Sequence, residues 1–129
     1  MDTSAVIAIL RREPESAAYA ELLEGAECRR ISAVNYVEAA AVIDARKNPV
    51  DSRWFDTFLR EGDFIIEPVS VEQARVAREA YRDFGKGSGH PAQLNPGDCF
   101  AYALAKELGE ALLFKGSGFS RTDIASVRD

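Results

Sequence analysis

Three carboxylates of the chain stand where one end of a parallel sheet could gather them. Asp2 directly precedes a helical stretch, Asp98 stands at the head of another, and Glu38 lies inside a third. Ligands of open parallel sheets bind outside the carboxyl ends of the strands. Clustered carboxylates repel one another, so such a group is tenable mainly around a divalent cation such as Mg²⁺ or Mn²⁺. The chemistry this suggests is metal-assisted hydrolysis of a phosphodiester.

Glu38 is the most informative of the three residues. At about 100° per residue it falls within an apolar stripe of its predicted helix. The stripe consists of Val34, Val37, Ala41, Val42 and Ala45. An ionised carboxylate in such a place needs a cation, a hydrogen-bonding partner or a raised pKa. The alternatives are a Glu that reaches water at the edge of the stripe, or one that pairs with a buried Arg.

Asp98 and Asp2 are weak evidence when each is taken alone. Asp98 follows Asn95-Pro96-Gly97, and Asp is a favoured N-cap, so capping a helix is its simplest role. Asp2 carries less information still. It is the convergence of both residues with Glu38 that favours a shared site.

The composition excludes several functional classes. The chain has 129 residues, 47% hydrophobic and 29% charged, which predicts one folded domain over residues 1–129. A formal net charge of -5 argues against binding nucleic acid through bulk positive charge, so RNA would need a local site. The sequence has neither an apolar run long enough for a membrane span nor the features of a signal peptide, which predicts a cytoplasmic protein without membrane attachment.

The chain has only two cysteines and one histidine, which argues against a zinc site. Cys28 and Cys99 are too few for a disulfide framework or a four-ligand zinc site, and both are interpreted as small buried residues. His90 is interpreted as a loop residue without a catalytic part.

Short β-like runs alternate with amphipathic helices, which indicates an α/β fold with a parallel sheet. Helices are expected over residues 5–10, 14–23, 33–47, 51–59, 71–84 and 98–108, and strands over 29–31, 64–69 and 111–114. The expected caps are Ser32, Asp51 and Asp98, together with a capping box formed by Ser70 and Gln73. Residues 85–97, rich in Gly and Pro, are expected to form the one long loop.

Five segments with these spacings resemble the PIN-domain ribonucleases of the VapC toxin type. They are DTSA from Asp2, SAVNYVE from Ser32, NPGDCFAYALA from Asn95, LLFKG from Leu112 and FSRTDI from Phe119. The match covers nearly the whole chain in the right order. The resemblance implies a PIN-like three-layer sandwich, with a short parallel sheet flanked by helices on both faces.

The same resemblance implies an activity and partners. It implies a Mg²⁺- or Mn²⁺-dependent endoribonuclease, the toxin of a type II toxin-antitoxin pair, held inactive by a VapB-like antitoxin. Family substrates are structured RNAs, tRNA or ribosomal RNA. Family members also form homodimers. Tyr36 and Ile43 lie opposite the Glu38 stripe and could meet either a partner chain or another helix of the same chain.

The resemblance also assigns residues to the site by position. Asp2, Glu38 and Asp98 match the catalytic, metal-binding acids of the family, and Thr3 or Ser4 matches the hydroxyl beside the first of them. The implied mechanism is attack of a metal-activated water on the phosphodiester.

Two departures from the family pattern bear on activity. Ser117-Gly118 stand where relatives carry one or two aspartates, so a fourth acid is missing, and Asp123 is a possible auxiliary ligand. Only Met1 precedes Asp2, whereas relatives have several apolar residues there, so either the true start lies upstream, or the sequence is trimmed, or the central strand is unusually short.

Two other functions compete with the nuclease. The missing fourth acid allows a catalytically weakened PIN-fold protein whose main act is to bind an antitoxin or regulator. A phosphatase or phosphoacceptor domain would use Asp2 as nucleophile. That pattern requires a second Asp two residues later, where this chain has Ser4.

Overall fold

The computed structural model describes residues 1–26, 28–109, 112 and 122–123. Within these ranges the chain forms six helices and two strands in the alternating order expected of an α/β fold. They are α1 (Thr3–Leu10), α2 (Ser16–Glu24), β1 (Arg30–Ser32), α3 (Ala33–Ala45), α4 (Pro49–Glu61), β2 (Ile65–Glu67), α5 (Val71–Phe84) and α6 (Pro96–Leu108). The strand predicted over 111–114 lies outside the described residues except for Leu112, which is buried.

The two described strands pair in parallel. Ile31 stands opposite Ile66, and Ser32 stands opposite Glu67. Arg30 adds an ion pair across the strands, with its guanidinium 2.5 Å from Oε1 of Glu67. At the carboxyl end of β1 the chain turns directly into α3, and Ser32 caps this helix by accepting from the backbone N–H of Val34. The predicted cap at Ser32 is therefore confirmed.

Two other predicted helix starts are wrong in detail. Asn48 caps α4 in place of Asp51, because Pro49 occupies the first helical turn. Asn95 caps α6 in place of Asp98, so Pro96 and Gly97 belong to the helix and the long loop ends at Asn95. Each correction moves the start of a helix back by a few residues.

The capping box predicted at the start of α5 forms only in part. Ser70 accepts from the backbone N–H of Gln73 as expected. The Gln73 side chain does not reach back, because its Nε2 donates instead to the carboxylate of Glu107, 2.5 Å away. This bond joins α5 to α6 through a partner 34 residues distant in sequence.

Helix α3 is central to the packing, since it contacts α1, α4, α6 and both strands. Its buried line is Asn35, Ala39 and Ile43. The prediction that the apolar stripe around Glu38 is buried is wrong, because Val37 is 62% exposed and Val42 is 42% exposed.

The opposite side of α3 faces the core, which settles the two alternatives for Tyr36 and Ile43. Ile43 is fully buried in a cluster with Phe55 and Leu59 of α4. The ring of Tyr36 stacks on Phe55 with 5.7 Å between centroids. Both residues therefore pack against a helix of the same chain.

The interpretation of the cysteines is half right, because Cys99 is buried and Cys28 is exposed. His90 lies in the loop before α6, as expected, and contacts the ring of Phe84 edge-on. None of the helices in the described ranges has the length and apolar character needed to cross a membrane.

Candidate active site

Three helices bring the predicted acids to one side of the molecule. Asp2 is the N-cap of α1, Glu38 lies in the second turn of α3, and Asp98 lies in the first turn of α6. Helix α3 packs against both α1 and α6. Glu38 is close enough to Asp2 and to Asp98 to act on both carboxylates electrostatically.

Asp2 is almost completely buried, with 2% of its surface exposed. Its Oδ2 accepts two hydrogen bonds from Ser4, from the backbone N–H at 3.1 Å and from Oγ at 2.6 Å. Its Oδ1 is buried and has no hydrogen-bond partner among the described residues. Burial raises the pKa of Asp2, the negative charge of Glu38 adds to the rise, and the bonds from Ser4 oppose it.

Glu38 is partly buried and accepts two hydrogen bonds on the same oxygen. Thr3 Oγ1 lies 3.0 Å from Oε1, and Asn35 Nδ2 lies 2.9 Å from it. The first donor belongs to α1 and the second to the preceding turn of α3. Of the two hydroxyls beside Asp2, Ser4 thus holds Asp2 and Thr3 holds Glu38.

Asp98 has a structural bond as well as a place in the site. Its carboxylate accepts from the backbone N–H of Asn95, and the Asn95 side chain accepts in return from the N–H of Asp98, which completes a capping box. Burial raises the pKa of Asp98 to about 6, and the charges of Asp2 and Glu38 contribute to the rise. Each acid therefore lies within electrostatic reach of the others.

Asn35 and Gly97 belong to the same constellation, although sequence reasoning gave neither a role. Asn35 is fully buried, and its Nδ2 also lies 3.1 Å from the backbone oxygen of Gly97. A β-carbon on Gly97 would stand 2.0 Å from Oε2 of Glu38. The sequence carried no signal for Asn35, because the apolar stripe predicted for α3 did not include its position.

The possible auxiliary acid is engaged elsewhere. Asp123 accepts from the hydroxyl of Tyr102 at 2.6 Å and from the ammonium group of Lys106. These bonds hold the pKa of Asp123 below its ordinary value. Ser117 and Gly118, the positions of the missing fourth acid, lie outside the described residues.

The oxygen atoms of Asp2, Glu38 and Asp98 suit a hard divalent cation, although their arrangement is not that of a coordination sphere. Within the described residues, no three His, Cys, Asp or Glu side chains stand in a metal-binding arrangement. Carboxylate oxygens are nevertheless the ligands that Mg²⁺ and Mn²⁺ prefer. The buried Oδ1 of Asp2 is an acceptor that only a cation or a proton donor can satisfy. By this test the residues fit such an ion.

The fold and the acidic site define a class of protein. A model of the PIN domain matches residues 1–125, so the chain belongs to the PIN-domain family. The chain is 52% identical over 129 residues to Ribonuclease VapC28 of Mycobacterium tuberculosis, a match that covers 100% of this chain and 97% of that protein. The identity is 48% over 124 residues with Ribonuclease VapC42 of the same species, covering 96% of this chain and 95% of the relative. It is 47% over 131 residues with Ribonuclease VapC of Mycolicibacterium smegmatis, covering 98% of each. These similarities confirm the resemblance to the VapC type.

Proposed function

We propose that this protein is a Mg²⁺- or Mn²⁺-dependent endoribonuclease that cleaves structured RNA, tRNA or ribosomal RNA. The observation that carries the proposal is that α1, α3 and α6 meet and bring three acids together, so that Glu38 acts electrostatically on Asp2, and both act on Asp98. Near-full-length relatives named as VapC ribonucleases support the reaction class. The chain's net charge of -5 fits a nuclease in which a bound cation, rather than a basic surface, meets the phosphate.

The three acids are the residues that would hold the cation. When bound, the cation would polarise the phosphodiester and make water a better nucleophile. Ser4 orients Asp2 so that Oδ1 remains available. Thr3 and Asn35 hold Oε1 of Glu38 and thereby fix its carboxylate. The backbone N–H of Asn95 donates to the Asp98 carboxylate and holds it at the start of α6.

The proposed biological role is that of a toxin in the cytoplasm, inhibited by a VapB-like antitoxin. The names of the VapC relatives support this role. We also propose that the chain forms a homodimer. Of the two residues first considered for this contact, Ile43 is buried within the chain and Tyr36 is partly buried against the same cluster. The exposed Val37 and Val42 leave α3 a different apolar face for a second copy.

The proposed activity is tested by incubating the purified chain with a pool of total tRNA and ribosomal RNA, with and without Mn²⁺. Glu38→Gln, prepared identically, is the control for contaminating nucleases, since it keeps a hydrogen-bond acceptor and removes the charge. Discrete Mn²⁺-dependent fragments that disappear with Glu38→Gln are expected. Fragments of equal yield from both proteins, or none from folded wild-type protein at any Mn²⁺ concentration, would contradict the proposal.

A second candidate function is a catalytically weakened protein that mainly binds an antitoxin or regulator. The observation in its favour is that Ser117 and Gly118 replace the usual aspartates. Gly118→Asp and Ser117→Asp restore the acid one position at a time. If the missing acid limits metal binding, one of these variants should bind Mn²⁺ more tightly than wild type and cleave RNA faster. Unchanged affinity and rate in both would remove the reason for this candidate.

A further inference from the structure

One buried amide joins the three helices of the site. Nδ2 of Asn35 lies 2.9 Å from Oε1 of Glu38, 3.1 Å from the backbone oxygen of Gly97 and 3.4 Å from Oγ1 of Thr3. The acceptors belong to α3, α6 and α1 in turn. Its own Oδ1 is buried with no hydrogen-bond partner in the described part of the chain. Burying an amide oxygen without a hydrogen-bond partner destabilises the fold, so the presence of Asn35 here indicates a role beyond filling space.

Gly97, in the first turn of α6, has no side chain, and the Glu38 carboxylate occupies the space that a side chain would fill. A β-carbon on Gly97 would lie 2.0 Å from Oε2, 2.3 Å from Oε1 and 2.3 Å from Cδ of Glu38. Gly97 is not among the glycines with a positive φ, so its backbone conformation is open to any residue. Space for the Glu38 carboxylate, rather than backbone freedom, is therefore what glycine provides at this position.

These contacts set the position of one acid relative to another. We propose that Asn35 and Gly97 are positioning residues that seat the Glu38 carboxylate against the first turn of α6, beside Asp98. Asn35 holds Glu38 and the Gly97 carbonyl at the same time, so it fixes the gap between α3 and α6. Asp98 follows Gly97 in the chain, so the same contact sets the spacing between the carboxylates of Glu38 and Asp98. The inference rests on the proposed metal-dependent function.

Two variants should disturb the position of the Glu38 carboxylate in different ways. Asn35→Ala removes the donor and leaves Glu38 without its bond from α3. Gly97→Ala introduces a β-carbon that displaces the Glu38 carboxylate, and this carboxylate is the free end of a flexible side chain, so the fold can yield there. Alanine is also a better helix former than glycine. Gly97→Ala should therefore unfold at a temperature no lower than wild type.

A matched control exists at the other end of α6, where this helix contacts α5. Gln73 is also a buried amide, its Nε2 donates to the carboxylate of Glu107 on α6, and its Oε1 is buried without a described partner. Gln73→Ala thus removes the same kind of bond from α5, away from the three acids. It measures how far a general loosening of the fold affects cation binding.

The test is the affinity of the folded, metal-free protein for Mn²⁺ by titration calorimetry, with the thermal unfolding midpoint of each variant. Asn35→Ala and Gly97→Ala should each weaken Mn²⁺ binding by at least about tenfold, as loss of outer-shell partners does at other metal sites. Gln73→Ala should stay within about threefold of wild type. Wild-type affinity in Gly97→Ala would contradict the inference whatever Asn35→Ala does, including unfolding.

Glu38→Gln separates failure of this inference from failure of the proposed function. If Glu38→Gln loses Mn²⁺ binding while Asn35→Ala and Gly97→Ala keep it, the positioning role is wrong and the metal site stands. If wild type binds no Mn²⁺, or Glu38→Gln binds it as tightly as wild type, both are wrong. If Gln73→Ala weakens binding as much as Asn35→Ala, the effect is general loosening and the positioning role is again wrong.

Discussion

Ser4 donates two hydrogen bonds to a single oxygen of Asp2. The backbone N–H lies 3.1 Å and Oγ lies 2.6 Å from Oδ2, at the start of α1. The other oxygen, Oδ1, is left buried and without a described hydrogen-bond donor. Asp2 therefore caps α1 by accepting the Ser4 backbone N–H, and both bonds from Ser4 fall on Oδ2, which leaves Oδ1 for another partner.

Ser4→Ala should weaken cation binding more than it weakens the fold. The variant keeps the backbone bond that caps α1 and loses the hydroxyl bond, which opposes the rise in the pKa of Asp2. A hydrogen bond to a charged group contributes roughly 1.5–3 kcal/mol. With the pKa of Asp2 raised further, protons compete better with Mn²⁺, so the loss of affinity should grow as pH falls. Calorimetric titration at several pH values measures this.

Ser52→Ala is the matched control for the serine, because the Ser52 hydroxyl donates to Asp44 at 2.8 Å on an exposed surface. It should leave Mn²⁺ affinity unchanged at every pH. Equal affinities for Ser4→Ala and wild type across the pH range would show that the hydroxyl does not orient Asp2.

The raised pKa of Asp98 predicts how the stability of the metal-free protein depends on pH. The pKa of this carboxyl is about 6 in the folded protein, against an ordinary value of 3.8. The folded state then binds more protons than the unfolded state between these values, so Asp98 favours folding at low pH. This contribution is lost as pH rises through the window from about 4 to about 6.

Asp98→Asn should remove this pH dependence. The amide oxygen can still accept from the Asn95 N–H, whereas the charge that Asp2 and Glu38 oppose is gone. We expect the variant to unfold at a higher temperature than metal-free wild type near neutral pH, and at a similar temperature near about pH 4. Scanning calorimetry measures both midpoints. If the unfolding midpoints of wild type and Asp98→Asn change by the same amount between about pH 4 and neutral pH, the assignment is contradicted.

Lys86, on the exposed loop before α6, lowers the pKa of Asp98 through its positive charge. Lys86→Met should therefore move the titration of the Asp98 carboxyl to higher pH, as measured by carbon NMR of the side chain. Lys106→Met removes a similar charge that pairs instead with Asp123. An upward shift with Lys106→Met, or no shift with Lys86→Met, would show that the local field differs from the one described.

Asp123→Asn tests whether the possible auxiliary acid takes part in cation binding. Asp123 already accepts from Tyr102 and Lys106, so we expect Mn²⁺ affinity to remain at the wild-type value. The Asp123 side chain is 50% exposed. Exposed ion pairs contribute about 0–1 kcal/mol, so the loss of stability should be small. A clear loss of Mn²⁺ affinity by calorimetry would instead make Asp123 a ligand.

Local sequence signals predicted the elements of the fold better than their capping. The alternation of strands and helices, the Ser32 cap and the end of α6 at Leu108 were all visible in the sequence. The capping box at Ser70 was predicted from local spacing. It was half wrong because Glu107, distant in sequence, takes the Gln73 side chain.

The sequence suggested three acids for a shared site, and the structure brings them within electrostatic reach of one another, but the sequence did not predict the contacts around them. Periodicity placed Glu38 among residues such as Val37 that the structure exposes, because packing against α1, α4 and α6 decided which side of α3 is buried. Asn35 and Gly97 carry no local signal of a shared contact, since they lie 62 residues apart in sequence. Only folding brings the Asn35 amide and the backbone of Gly97 to the Glu38 carboxylate.

The most direct test of the proposed site is the position of Mn²⁺ in crystals of the protein grown with this ion. Anomalous diffraction measured at the manganese edge locates the ion without reference to activity. A peak within coordination distance of the Asp2 Oδ1 atom and of the carboxylates of Glu38 and Asp98 is expected. A peak elsewhere, or none beside Asp2 at saturating Mn²⁺, would contradict the assignment of these three acids as a metal centre.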